Sequence, residues 1–204
     1  MNNISDSESL LNTKYSVILS DCPWRYRNFK EAANGAAAAH YQTMELEDLK
    51  KIPVSTWAEE DCVHFMWTTW PHLAPAIELM KVWGFEYKTG IPWIKTVNTT
   101  IRSGIGFFTR SASELLLIGT RGNPKRLTSR DQTPVGLLVE EDKVFYAPIG
   151  KHSKKPEALQ DWIEKTYNGP RLEIFSTRHR PNWTCWGYST GYKLSEIGVT
   201  PIGE

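Results

Sequence analysis

The sequence predicts an α/β fold in which a mixed, mostly parallel sheet is flanked by helices. Short apolar runs of strand length alternate with amphipathic segments of helix length, the pattern left by strands joined through covering helices. The 204 residues carry 40% hydrophobic side chains, enough for one sizeable core and hence one domain. The first apolar run, in "ILSDCPWRY", goes straight into an acid and then a proline. An acid delivered there sits at the carboxyl edge of a strand, where open α/β sheets bind their ligands.

Each element has its own signal. Residues 1–13 are polar and read as a tail, residues 14–190 as the domain and 191–204 as a second tail. "YSVILS" (15–20) is the first strand, and Pro23 stops further regular pairing. Residues 25–42 hold an alanine run interrupted by Gly35 and without periodic large apolar residues, so they read as a mobile loop. "TMELEDLKKI" reads as a short helix with Thr43 as N-cap and acids in its first turn, stopped by Pro53. "CVHFMWTT" (62–69) is a strand. "PHLAPAIELMKVWG" is a helix with Pro71 near its start and Gly84 just past its end, burying Leu73, Ile77 and Met80 or Lys81. "FEYKTGIPWIKT" (85–96) is strand-like with a Gly-Ile-Pro irregularity, and "ELLLIGTRG" (114–122) is a further strand. Residues 122–150 show little periodicity and read as a long loop. "KPEALQDWIEKTYNG" is a helix burying Leu159, Trp162 and Ile163, with Ser153 as a candidate cap. "RLEIFS" (171–176) and "NWTCWG" (182–187) close the sheet.

Composition narrows the function. Lys plus Arg number 24 and Asp plus Glu 23, a net charge of +1, so any basic surface must come from local clustering. Cys22, Cys62 and Cys185 are odd in number and far apart, which argues against a disulfide framework and against a zinc site. The polar start carries no signal-peptide pattern, and no apolar run approaches transmembrane length, so the expectation is a cytoplasmic protein without a membrane partner.

The chemistry concentrates at Asp21, Cys22, Pro23 and Trp24. A carboxylate and a backbone carbonyl are acceptors only, so they suit a planar substrate that presents an amino group, with an indole to stack on it. Adenine is such a substrate. Its exocyclic nitrogen is a poor nucleophile because the lone pair delocalises into the ring. Two acceptors, the Asp21 carboxylate and the Cys22 carbonyl, would draw that nitrogen toward tetrahedral geometry and free the lone pair. Pro23 holds Cys22 extended and helps aim its carbonyl.

"DCPW" resembles the D-P-P-W motif of amino-group methyltransferases that use S-adenosyl-L-methionine. "HYQTMELEDL", "HFMWTTWPHL", "WGFEYKTGIPWIKT", "SGIGFFTRSASELLLIGTRGNP", "KHSKKPEALQDWIE" and "RLEIFSTRHRPNWTCWG" follow in the order found in one family. That family is the catalytic subunit of the eukaryotic messenger-RNA adenine-N6 methyltransferase with its bacterial and phage relatives, and the likeness covers about residues 15–187. The resemblance implies a Rossmann-like, S-adenosylmethionine-dependent fold, with Asp21, Cys22, Pro23 and Trp24 at the catalytic centre and Tyr41 near the target base. It implies that Lys155 and Asp21 hold the cofactor. Arg178, His179 and Asn182 fall in the segment for its ribose and adenine, and Glu173 is a further candidate. The sequence departs from the family in having Cys22 for the first proline, Gly187-Tyr188 where "GN" is frequent, and a different length in "FSTRHRPNW".

Basic groups gather in "RGNPKRLTSR", "KHSKK" and "RHR". In the first of these, Lys125, Arg126 and Arg130 follow a strand and are candidates for nucleic-acid phosphates. The expectation is adenine-N6 methylation of nucleic acid, DNA favoured over RNA by the small single-domain build. A homodimer or a partner subunit is compatible with this. The alternatives are a catalytically silent nucleic-acid-binding or partner subunit, and a methyltransferase for a small molecule.

Overall fold

A computed structural model describes residues 13–25, 43–104, 108–127, 138–139, 144–150 and 154–187. The alanine-rich segment, Tyr41, Arg130, Ser153, Tyr188 and both tails lie outside the described residues. The elements in chain order are β1 (Tyr15–Asp21), α1 (Leu46–Lys50), α2 (Val54–Trp57), β2 (Ala58–Thr68), α3 (Leu73–Val82, entered through a 3-10 turn Trp70–His72), β3 (Glu86–Val97), β4 (Thr100–Ile101), β5 (Ser113–Arg121), β6 (Leu138–Val139), β7 (Val144–Pro148), α4 (Glu157–Thr166), β8 (Arg171–Ile174) and β9 (Thr184–Trp186).

One mixed sheet runs in the order β6-β7-β3-β5-β2-β1-β8-β9, with β4 paired on β3. β1 lies parallel to β2 and β8, β8 to β9, and β3 to β7. β5 is antiparallel to both β2 and β3, so it is the one long strand among those described that runs the other way. The β3–β5 connection explains this: it returns through the short strand β4 and has no crossover helix, and parallel neighbours need such a crossover. The amino end of β5 therefore reaches the same edge as the carboxyl ends of β1, β2, β3 and β8.

Alternation along the strands makes two buried faces. Ile18, Met66, Leu115, Leu117 and Leu172 pack under α1 and α3 with Leu49, Leu79, Met80 and Trp83. Val17, Leu19, Phe65, Trp67, Leu116 and Trp93 pack under α4 with Leu159, Trp162 and Ile163. The α4 face matches the expected residues, with Gln160 and Thr166 added. In α3 the buried residues are Ala76, Leu79 and Met80, with Leu73 and Ile77 only partly covered, so the stripe sits slightly rotated from the expected one. Gly84 ends α3 at φ 88, a left-handed conformation that costs glycine little.

Three expectations are corrected. The first helix starts at Leu46, and Thr43 does not cap it. Met44 is instead held in extended pairing with the chain after β1, its N–H donating to the Pro23 carbonyl at 2.8 Å. "VSTW" forms the short helix α2 immediately before β2, and β2 itself starts at Ala58. The 122–150 stretch is not all loop, because Val144–Pro148 adds a parallel strand beside β3. Five residues between charged and proline-containing segments give too short a pattern to read; Phe145 reveals itself only by its burial against the sheet.

His64, in the middle of β2, is fully buried, and its Nε2 lies 2.9 Å from the Ser20 hydroxyl. Desolvation pushes its pKa down from 6.5 to about 3, so the ring stays neutral in the folded protein. The unfolded chain takes up a proton there below pH 6.5 while the folded protein does not, so this contribution to stability is lost as pH falls from 6.5 toward 3. His64→Gln is expected to flatten the fall in thermal midpoint over that window, which a pH series of melting curves would show. An unchanged slope would assign the acid sensitivity to other groups.

Candidate active site

Asp21 is the last residue of β1 and points, with Leu19, to the α4 face. There the strand edge and the amino-terminal half of α4 form a cleft that opens to solvent. The Lys155 ammonium, on the segment entering α4, sits 2.7 Å from Asp21 Oδ2 and 3.4 Å from Glu114 Oε2. Glu114 Oε1 accepts from Lys95 Nζ at 2.5 Å. Beneath these groups lie two indoles. Lys155 Nζ is 5.9 Å from the Trp67 ring centre and Lys95 Nζ 5.4 Å from that of Trp93, and the two rings meet edge to face at 5.8 Å.

The electrostatics follow from burial and from the two lysines. Burial pushes the Asp21 carboxyl above the usual carboxylate range, and the Lys155 ammonium pulls it back only in part. Burial also pushes on Glu114, but Lys155 and Lys95 together outweigh it and hold its pKa low. On the other side of the cleft, Glu173 accepts from Gln160 Nε2 at 2.9 Å, and burial raises its pKa. Gln160 Oε1 in turn accepts from Arg178 Nη2 at 2.9 Å, and Arg178 pairs with Glu157 at 2.8 Å. The chain leaves β8 through Phe175, whose φ of 63 is a strained conformation for a bulky residue; its ring packs on Trp186 on the α3 side, and the residue borders the cleft. Gly187 is required opposite this turn, since a Cβ there would lie 2.4 Å from the Ser176 carbonyl oxygen.

The structure brings Asp21, Lys155, Glu173 and Arg178 together around one cleft. His179 and Asn182 lie on the exposed loop after β8. Trp24 departs from the expected open stacking face. It is 6% exposed and stacks on His72 at 5.4 Å, because it faces the α3 side of the sheet while Asp21 faces the α4 side. The Cys22 carbonyl accepts from the Trp24 N–H at 2.9 Å and keeps its second lone pair. The thiol of Cys22 is buried in the α3-side core, and desolvation holds its pKa well above the usual value, so it stays protonated. Cys22→Ala is therefore expected to retain most of the activity, and Cys22→Pro to retain or raise it. Loss of turnover in folded, cofactor-binding Cys22→Ala would give the thiol a role that the geometry does not contain.

Lys125 lies away from this cleft, as does Arg126. The Asn123 N–H is fixed to Asp61 Oδ1 at 2.7 Å and the Leu127 N–H to the Thr166 carbonyl at 2.8 Å, at the amino end of β2 and the far end of α4. β5 runs antiparallel, so the loop that follows it leaves from the opposite edge, about 23 Å from Glu114 at the usual rise per strand residue. Nothing in the sequence alone singles out Lys95, Glu114 or Gln160. Their one signal is a charged or amide group interrupting an apolar pattern, which becomes informative only once the strand directions are known.

The cleft fits the cofactor that the motif implies. The Lys155 ammonium can meet a carboxylate, Glu173 and Gln160 present acceptors for hydroxyl and amine donors, and Leu19 and Leu116 line the cleft with apolar surface. Among the described residues no group of His, Cys, Asp or Glu is arranged to hold a metal ion, and no helix is long and apolar enough to cross a membrane.

A mixed sheet of this kind, flanked by helices and carrying an acid and a lysine at its carboxyl edge, has the Rossmann-like architecture of the S-adenosylmethionine-dependent methyltransferases. The chain belongs to the MT-A70 family, whose model matches residues 15–189. It is 32% identical over 192 residues to the type II methyltransferase M.MunI of Mycoplasma sp, a match covering 85% of this chain and 77% of that protein. It is 26% identical to the N(6)-adenosine-methyltransferase catalytic subunit METTL3 of Homo sapiens, over 85% of this chain but 28% of METTL3. To the human N(6)-adenine-specific methyltransferase METTL4 it is 27% identical, over 92% of this chain and 40% of that protein.

Proposed function

We propose that this protein transfers a methyl group from S-adenosylmethionine to the N6 amine of adenine in DNA. The observation that carries the reading is the half-buried Asp21 carboxylate at the end of β1, set beside Lys155 and the cleft between β8 and α4. When bound, the cofactor supplies an electrophilic methyl on a sulfonium. The work of the chain is to raise the nucleophilicity of the amine: Asp21 accepts one N–H, and the free lone pair of the Cys22 carbonyl accepts the other. As the nitrogen gains the methyl it must lose a proton, and the Asp21 carboxylate is placed to hold it. Lys155 takes the carboxylate of the methionine part, and Glu173 and Arg178 hold the far end. The mycoplasmal type II methyltransferase, covered over most of its length, supports DNA. Three free, buried cysteines suit a cytoplasmic setting.

The nucleic-acid surface suggested by the structure is not the one suggested by the basic loop. Beyond the carboxyl edge, the β3–β4 hairpin and its return expose Arg102, Phe108 and Arg110, and Trp70 stands 52% exposed with its indole N–H held by the Ser113 hydroxyl at 2.9 Å. Cations with exposed aromatics next to the cleft suit a backbone and unstacked bases. Replacing Arg102 and Arg110 with Ala is expected to lower the log–log salt slope of DNA binding by roughly 0.7–0.9 per lost phosphate contact. The same change at Lys125 and Arg126 should leave the slope near the parental value. The reverse result would route the strand over the opposite edge.

The direct test is transfer of labelled methyl groups to DNA and RNA panels, followed by nucleoside mass spectrometry. N6-methyladenine in DNA is the expected product. Absence of transfer to any adenine by folded protein that binds the cofactor would overturn the reading.

A further inference from the structure

Beside the cleft, in contact with Lys155, stands a charged group that the proposed chemistry does not use. Glu114 stands at the amino end of β5 with its side chain 16% exposed, and each of its oxygens faces an ammonium: Lys95 at 2.5 Å and Lys155 at 3.4 Å. Four charges thus alternate along the edge, Asp21, Lys155, Glu114 and Lys95, over the floor made by Trp67 and Trp93. Lys155 is nearer to Asp21 than to Glu114, and this raises a difficulty for the reaction. Lys155 engages Asp21 Oδ2 at 2.7 Å, and while it does, that oxygen is a weaker acceptor for the amine of a substrate and the carboxylate as a whole is less basic. The ammonium cannot simply withdraw either, because an unpaired charge in a half-buried, indole-floored site is costly.

We propose that Glu114 is a positioning residue that provides a second seat for the Lys155 ammonium, so that Asp21 can exchange this ammonium for the N–H of the substrate amine. The inference rests on the methyltransferase reading above and adds to it the group that releases Asp21. The geometry suits the exchange. Lys155 already lies between the two carboxylates, so only a short swing of its Nζ is needed. Glu114 is itself anchored by Lys95 on the neighbouring strand, so it does not follow the lysine out of place. When Lys155 also meets the carboxylate of the cofactor, Glu114 keeps it on the β5 side, clear of the Asp21 oxygen that faces the substrate. The four side chains together are neutral, so the exchange moves an ammonium without leaving a net charge in the cleft.

The charged groups that face Asp21 from the elements around it are Lys155 from the entry to α4, Glu114 from β5, Lys95 from β3 and Glu173 from β8. Glu114 raises the pKa of Asp21, so removing its charge moves the titration of Asp21 to lower pH. A purely structural glutamate that neutralised Lys95 would influence stability but not the rate of the reaction.

The test uses full-length protein with S-adenosylmethionine and an adenine-containing DNA that the parent methylates. Glu114→Gln is expected to lower single-turnover methyl transfer at least about tenfold, the scale of one charge-assisted hydrogen bond. Its cofactor affinity should stay within about threefold, since Lys155 is retained. The acid limb of the rate profile, and the Asp21 carboxyl titration read by NMR without substrate, should both move to lower pH. Glu114→Asp keeps the charge, so it should return the acid limb to the parental position, but it pulls the seat back by one methylene and should recover the rate only in part. A parental rate in Glu114→Gln, or, should that variant not fold, a parental rate in Glu114→Asp, would overturn the proposal. Parent protein that binds the cofactor yet methylates no adenine sinks the methyltransferase reading instead, and the NMR titration then still shows whether Glu114 governs Asp21.

Discussion

Asp21→Asn is expected to lower kcat by about 10²–10³, on the scale of losing one preorganised hydrogen-bonding group that acts on a transition state. The substitution keeps the shape and replaces a charged acceptor with an amide that also presents N–H groups to the amine. Since the acceptor acts most strongly when the nitrogen turns tetrahedral and its protons become acidic, the loss belongs in kcat and not chiefly in substrate binding. The fold should survive, because Asp21 stands at the end of β1 with its side chain 31% exposed. Single-turnover transfer on a DNA that the parent modifies measures the effect, and a parental rate would reduce "DCPW" to a strand-ending turn. The pH dependence has a definite sign. Burial raises the Asp21 pKa, so the carboxylate protonates earlier on acidification than an ordinary aspartate, and the acid limb of kcat lies correspondingly higher. The same raised pKa favours the folded state below the pKa of the unfolded chain, and that contribution is lost as pH rises through the folded value.

Lys155→Ala is expected to weaken S-adenosylmethionine binding by about 10- to 100-fold, the range for a hydrogen bond to a charged group that is partly shielded from water. It also removes the ammonium from Asp21 and Glu114, so both carboxyl groups should titrate at higher pH, and the acid limb of any remaining activity should move up. Calorimetry with the cofactor separates the two effects, because it reads affinity without turnover. An unchanged affinity would show that Lys155 serves only the electrostatics of the two acids. Lys165 is a natural control: it is exposed in the last turn of α4, away from the cleft lining, and its loss should leave the cofactor affinity nearly parental.

What the sequence by itself determined is mostly local. An apolar run closed by Asp21 and Pro23 sets a strand with an acid at its end. Leu159, Trp162 and Ile163 recur at helical spacing and define the buried face of α4, and Gly84 terminates α3 where left-handed backbone is needed. The resemblance of "DCPW" and "SKKP" to family motifs implies that Asp21 and Lys155 serve one cofactor, and their side chains stand 2.7 Å apart. Strand direction is different in kind, since it depends on which strands pair, and pairing joins residues far apart in the chain. Only the tertiary structure decided that β5 runs against its neighbours. That single reversal brings Glu114 to the edge that carries Asp21 and Lys155 and takes Lys125 and Arg126 to the opposite one. Face selection has the same origin. The period of two in a strand separates Asp21 from Cys22, so the acid opens onto the cleft under α4, whereas Cys22 and Trp24 are committed to the core under α3.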